Sequence, residues 1–202
     1  ARRHIADARG VHRLMARVLM VRHGRAAAGW NVDPDPPLDD LGRAQALAVA
    51  ADIVPQGRMN VVTSPLLRCR QTAFPVTASW DVEAEVDPRV GEIPSPEGYT
   101  LENRVEWLRE AMAGTWTEVA GRSGAHYGAY RDSIARAVSG ISEDTVIFSH
   151  FIAINAVIGH ATDDDRVVIA SLDNCSVSEF EVDPAGRITL VRRGGEADTL
   201  IR

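Results

Sequence analysis

The sequence predicts an α/β fold, a mainly parallel sheet covered by helices on both faces. Three observations predict it. Short strand-like runs, Val18 to Arg22, Asn60 to Thr63 and Thr145 to Ser149, recur along the 202 residues. Helical stretches separate them, as parallel strand crossovers require. Two late strands, Ser176 to Val182 and Ile188 to Arg192, flank the turn residues Asp183, Pro184, Ala185 and Gly186. That hairpin predicts an antiparallel strand at one edge.

Each element follows in order. Residues 1–14 carry Arg2, Arg3, Arg9 and Arg13 against one acid, Asp7, and lack the apolar core of a secretory signal. They read as a basic extension, disordered or loosely helical, with the folded domain expected over 15–202. Val18 to Arg22 is short and apolar. Leu41 to Val54 is rich in Ala and Leu at helical spacing, downstream of Pro36 and Pro37. After the strand at Asn60 to Thr63, Ser64 and Pro65 read as an N-cap and a proline at the first helical position. The helix is expected from Leu66 to about Ser79. Asp81 to Val86 alternates apolar and acidic residues, as an edge strand does. Leu101 to Met112 gathers Val105, Leu108 and Met112 on one helical face, and His126 to Val138 is a further helix. Thr145 to Ser149 is a buried strand. Phe151 to Ile158 is an apolar helix expected to end at Gly159.

Composition excludes several classes. Apolar residues make up 45% and charged residues 25%, values of an ordinary globular protein. No apolar stretch approaches the roughly 20 residues of a membrane span. The net charge of −6 argues against nucleic-acid binding. All 22 basic residues are arginine, which rules out Schiff-base and P-loop lysine chemistry. Cys69 and Cys175 form no disulfide framework, so a reducing, cytoplasmic setting is the default. Neither has an arginine six residues on, which argues against a cysteine-nucleophile phosphatase loop. Cys69 stands between Arg68 and Arg70, and it reads as a small helix residue in preference to an activated thiol. His126 and His160 read as a helix surface and a helix end. Asp163, Asp164 and Asp165 read as a solvated loop, and Trp107 and Trp116 as packing residues. Asn174 reads as a turn or capping residue.

The chemistry gathers at strand ends. Arg22, His23 and Gly24 follow one apolar strand, and His150 follows another. If the strands run parallel and close, both imidazoles emerge at the carboxyl end of the sheet, where open α/β sheets bind ligands. The segment Ser64 to Thr72 adds Arg68 in the first turn of a helix, beside free N–H groups and the positive end of the dipole. Two histidines and two arginines around a helix N-terminus describe an anion site.

At these residues the chain resembles the histidine phosphatase superfamily, also called phosphoglycerate mutase-like. The resemblance runs from Val18 to about Val191. It rests on Arg22-His23-Gly24, on Pro37-Leu38 with Leu41 to Ala46, on Ser64-Pro65-Leu66 with Arg68 and Gln71-Thr72-Ala73, and on Ser149-His150. It implies a three-layer α/β/α sandwich with a mainly parallel central sheet. By resemblance, His23 is the nucleophile that becomes a phosphohistidine. Arg22 and Arg68 bind phosphate, His150 stabilises the transferring group, and Glu92 is the general acid, with Glu97 its rival. Gly24 and Asn31 complete the expected phosphate contacts.

The expected chemistry is phosphoryl transfer. Arg22, Arg68 and a protonated His150 would meet the equatorial oxygens. His23 must be neutral to attack, so its other ring nitrogen should donate to a carbonyl or another acceptor. Glu92 would protonate the leaving alkoxide and then activate water, with its pKa raised by burial and nearby phosphate. No metal or cofactor is expected, and the partner is a small phosphorylated substrate.

The chain departs from the family after the first motif, where Arg25-Ala26-Ala27-Ala28 stands in place of an acid or amide followed by a hydroxyl. Arg25 reads equally as a second anion contact or as a solvated arginine. Phe151, Ile152 and Ala153 replace glycines after His150. Three functions remain open: a metal-independent phosphomonoesterase, a cofactor-dependent mutase, and a degenerate phospho-ligand binder. The short stretch between Thr72 and Glu92 leaves little room for the substrate-closing segments of mutases.

Overall fold

The computed structural model describes residues 4–6, 12–29 and 32–197. Near the N-terminus, strands β1 (His4–Ala6) and β2 (His12–Leu14) pair antiparallel as a ribbon of their own. The rest of the expected extension over residues 1–14 lies outside the described residues.

The central sheet has six strands. They are β3 (Ala16–Arg22), β4 (Asn60–Thr63), β5 (Glu85–Val86), β6 (Thr145–Ser149), β7 (Val177–Val182) and β8 (Ile188–Arg192). Their order is β5-β4-β6-β3-β7-β8. The first four run parallel. β7 runs antiparallel to β3, and β8 returns antiparallel to β7 at the edge. The antiparallel pairing expected at one edge is this hairpin.

The helices are α1 (Asp40–Ile53), α2 (Leu67–Trp80), α3 (Leu101–Ala113), α4 (Trp116–Ser123), α5 (His126–Ser139) and α6 (Phe151–Thr162). They cover both faces because strand side chains alternate. On β3, Leu19 and Val21 join α1 and α2 residues such as Val49, Ala50, Ala73 and Val76. Val18 and Met20 join the other cluster, with Leu108, Ile134, Ile154 and Ile158. Val18 through Val21 are fully buried, and each side chain contributes about 1.5–3 kcal/mol. The sheet is therefore the middle of three layers.

Register positions the site. Arg22 lies opposite Ser149 in the parallel β3–β6 pair, and Thr63 lies opposite Phe148 on β4. Three parallel strands thus end together. The His23 N–H donates to the Ser149 carbonyl at 3.0 Å, and the Ser64 N–H donates to the Phe148 carbonyl at 3.0 Å.

Four local expectations change. Ser64 is not the cap of α2. The cap position is Leu66, extended at φ −69° and ψ 138° and without a side-chain cap, and the helix begins at Leu67. The Ser64 hydroxyl is engaged by His150 instead. Only Glu85–Val86 of the expected edge strand pairs, because α2 runs to Trp80 and closes on Asp81 in the left-handed region. α6 continues through Gly159 to Thr162 and ends at Asp163, φ 54°. Gly159 is there for close approach: a Cβ would stand 2.5 Å from the Asp164 carbonyl oxygen. α4 was not anticipated, although Thr115 and Glu118 form a capping box at its start.

Candidate active site

The carboxyl ends of β3, β4 and β6 deliver His23, Ser64 and His150 to one place. The two imidazoles meet edge to face, ring centroids 5.2 Å apart. His23 and His150 are both buried. His23 Nδ1 lies 2.8 Å from the Gly24 carbonyl, which fixes the tautomer with the proton on Nδ1. Nε2 then keeps its lone pair and accepts from Arg68 Nε at 3.3 Å. The sequence led us to expect a carbonyl or another acceptor for the second ring nitrogen, and the Gly24 carbonyl takes that place.

The segment after β3 is pinned on both sides. Asn174 Nδ2 donates to the His23 carbonyl at 3.0 Å, so Asn174 orients the candidate nucleophile and is not merely a turn residue. The Gly24 N–H donates to Thr72 Oγ1 at 3.0 Å. Thr72 in turn donates to the Arg68 carbonyl at 2.7 Å. The close approach that Gly24 permits is to helix α1: a Cβ there would stand 2.6 Å from the Gly42 carbonyl oxygen.

Arg68 is the hub. It is buried in the first turn of α2, as expected. Nη2 lies 3.3 Å from His150 Nδ1 and 3.8 Å from Glu92 Oε2. Nη1 lies 3.8 Å from Asp35 Oδ1. Because Arg68 can only donate, His150 Nδ1 accepts and its Nε2–H donates to Ser64 Oγ at 2.8 Å. Arg22 is held by Nη1 donating to the Leu172 carbonyl at 2.6 Å, with its guanidinium 5.1 Å from the centre of the Phe151 ring.

Glu92 enters from the loop after the short 3-10 turn Pro88–Val90. Its Oε2 lies 3.4 Å from His150 Nδ1. Three bonds hold that loop: Ser149 Oγ to the Val90 carbonyl at 2.7 Å, Tyr130 to Gly91 at 3.0 Å, and Tyr127 to Pro94 at 3.2 Å. Glu97 is exposed, so Glu92 is the carboxyl group brought to the histidines.

Burial sets the protonation states. It holds His23 well below the usual histidine range, and the Arg68 and Arg22 charges push further down. Burial and Arg68 do the same to His150, so the protonated form expected against a transferring phosphoryl group needs that group's charge. An entering phosphoryl dianion would supply the negative charge that favours its protonation. Burial raises Glu92, while Arg68, the Ile93 N–H, Arg104 and Arg22 oppose the rise. Cys69 points its thiol toward the Ser149 carbonyl, and burial raises its pKa despite the neighbouring Arg68, so it is an inert helix residue.

Other candidates resolve differently. Arg25 pairs with Asp39, the cap of α1, at 2.5 Å, so its charge has a structural partner. Asn31 lies outside the described residues. Sequence reading missed Ser64 as the partner of His150, Thr72, Asp35 and Arg104. Ser64, Thr72 and Asp35 act through backbone or polar contacts across the fold, and short motifs do not reveal those.

His23, Glu92 and His150 bring ligating atoms within 4.8 Å of one another, the donor set of a possible metal site. The Arg68 guanidinium touches all three, so a dication there would face a buried positive charge. An anion with several oxygens fits the same groups better.

Solved structures share this fold. YhfR of Bacillus stearothermophilus superposes with a TM-score of 0.73 at 20% identity, covering 91% of this chain and 98% of that one. A mycobacterial glucosyl-3-phosphoglycerate phosphatase superposes at 0.67 and 20% identity, covering 90% and 100%. At such identities the likeness speaks for the fold. The "Probable phosphoglycerate mutase GpmB" of Yersinia enterocolitica is 34% identical over 39% of each chain, and that of Serratia proteamaculans is 32% identical over 50% of this chain and 52% of its own. The chain thus matches about half the length, or less, of these curated relatives. The family match spans residues 18–194, and the chain belongs to the histidine phosphatase superfamily, branch 1.

Proposed function

We propose that the chain is a metal-independent phosphomonoesterase that hydrolyses small phosphate esters through a phosphohistidine on His23. One observation carries this reading: His23 Nδ1 is anchored on the Gly24 carbonyl while Nε2 faces Arg68, beside His150 and Glu92. The neutral Nε2 attacks phosphorus as the bond to the ester oxygen breaks. Glu92, its pKa raised by burial, gives its proton to the departing alkoxide. Arg22, Arg68 and His150 meet the equatorial oxygens, where charge spreads during transfer. Glu92 carboxylate then takes a proton from water, the water oxygen attacks phosphorus, and the P–N bond breaks. Inorganic phosphate leaves, with His23 neutral and Glu92 protonated again. Asn31, as the family pattern suggests, adds a phosphate contact.

The names of the relatives support small phosphorylated acids as the substrate class. They include glucosyl-3-phosphoglycerate phosphatase and an Entamoeba histolytica phosphoserine phosphatase in complex with 3-phosphoglyceric acid. The net charge of −6 suits such anions better than nucleic acid. Among the described residues no helix is long and apolar enough to cross a membrane. The free cysteines Cys69 and Cys175 suit a cytoplasmic setting. A mutase reading is favoured by the curated relatives' name, and it predicts an isomerised ester with no free phosphate.

The experiment is phosphate release from an aryl phosphate in excess chelator, with His23→Ala beside the native protein. Turnover that survives chelation and vanishes in the variant supports the proposal. A variant keeping more than a few per cent of the rate would sink the phosphohistidine route.

A further inference from the structure

The N-terminus of α2 is capped by a residue from 32 positions upstream. Asp35 Oδ1 accepts the Leu67 N–H at 2.7 Å, in a helix whose own cap residue, Leu66, offers no side-chain acceptor. The same oxygen lies 3.8 Å from Arg68 Nη1. Arg68 is only 2% exposed, and its Nη1 has no hydrogen-bond partner among the described residues. The segment is built to hold this contact. Asp33 accepts the Asp35 N–H at 2.9 Å, and the Leu38 N–H donates to Gln71 on α2 at 2.7 Å. Pro36 and Leu38 are buried beneath it.

We propose that Asp35 is a standing counter-anion to Arg68, a specificity-determining residue that weakens the hold on free phosphate and on ground-state esters. The inference rests on the phosphatase reading above. An oxygen bonded to Arg68 Nη1 lies within about 7 Å of the Asp35 carboxylate, inside the screening length of physiological salt. Product phosphate and the bound ester bring two negative charges there. In a loose transition state the transferring group carries less charge, the rest residing on the leaving oxygen. Repulsion from Asp35 therefore falls hardest on the ester and the product, which favours turnover over product retention. The cap and the charge are separate roles of one side chain, so they can be tested apart.

Asp35→Asn keeps a carbonyl acceptor for the Leu67 N–H and removes the charge. Titration calorimetry with inorganic phosphate, and phosphate inhibition of aryl phosphate turnover, read the result. Roughly three- to tenfold tighter phosphate binding is expected in Asp35→Asn, the size of one half-exposed charge interaction. KM should fall in step, and the gain should shrink as salt is added. Asp35→Ala, which also loses the cap, should melt lower than Asp35→Asn. Unchanged or weaker phosphate binding in Asp35→Asn, with the native protein active, would overturn this inference alone and leave Asp35 a helix cap. A native protein that neither binds phosphate nor turns over would overturn it together with the phosphatase reading.

Discussion

His23 and His150 face each other edge to face because Arg22 and Ser149, the residues before them, are register partners in parallel strands. Neither side chain finds the other by loop geometry. The sheet sets their separation, and a rigid scaffold is what phosphoryl transfer needs, since most of its catalysis is positioning and charge stabilisation.

Ser64 fixes the second histidine. Its hydroxyl takes the His150 Nε2–H at 2.8 Å and leaves Nδ1 toward Arg68 and Glu92. Ser64→Ala removes that acceptor and leaves the buried N–H only the weak Cys69 sulfur, 3.4 Å away. It should lower kcat by roughly ten- to a hundredfold and cost about 1–3 kcal/mol of stability. Steady-state kinetics and thermal melting check both, and an unchanged kcat would detach Ser64 from the site.

Glu92→Gln keeps the shape of the acid and removes its proton. Alkyl phosphates, with poor leaving groups, should lose roughly 10²- to 10⁴-fold in kcat/KM, and activated aryl esters much less. Comparing the two substrate series measures this. Equal, negligible losses on both would remove Glu92 from the role of acid.

The sequence carried the strand cores and the four site residues Arg22, His23, Arg68 and His150, because each stands beside an apolar run that fixes its element. Glu92 was harder to read: it lies in an irregular loop placed by Tyr127 and Tyr130 from α5 and by Ser149 from β6. The end of α6 was misread because Gly159 obeys a packing demand from Asp164 and does not stop the helix. The Thr115–Glu118 capping box that opens α4 was present in the sequence and would have located that helix. The cap of α2 could not be read locally, since it comes from Asp35.

Protonation ties activity to pH. His23 must be neutral, and burial with Arg68 and Arg22 puts its pKa well below the ordinary value of 6.5. Glu92 must be protonated, and burial raises it from 4.5. The kcat/KM profile should be bell-shaped with an acidic optimum, and Glu92→Gln should flatten its alkaline limb. Stability follows the same groups. Below pH 6.5 the unfolded chain protonates His23 and His150 while the folded state resists, so their contribution falls by about 1.4 kcal/mol per group per pH unit. Glu92 works the other way, since the folded state holds its proton above pH 4.5. Two histidines outweigh one acid, so melting should drop from pH 7 to 5, and less so in His23→Ala. A melting temperature that rises over that range would contradict neutral buried histidines.

Gly42 ties the site to α1. Its N–H completes the Asp39 cap at 2.7 Å, and a Cβ at this position would collide with the Arg25 carbonyl oxygen, two residues beyond His23. Its own carbonyl oxygen is the atom that forbids a Cβ on Gly24. Two backbones touch here, and neither can yield as a flexible side chain would. Gly42→Ala would normally gain helix propensity. Here overpacking should outweigh that gain, costing about 1–3 kcal/mol, or roughly 2–10 °C in melting temperature for a chain this long. Because the loop displaced is the one that holds Gly24 on Thr72 and His23 on Asn174, kcat should fall further than the stability loss explains. Activity of the folded fraction, read beside the melt, separates the two effects. A variant as stable and as active as the native protein would show that the contact between α1 and this loop does not shape the site.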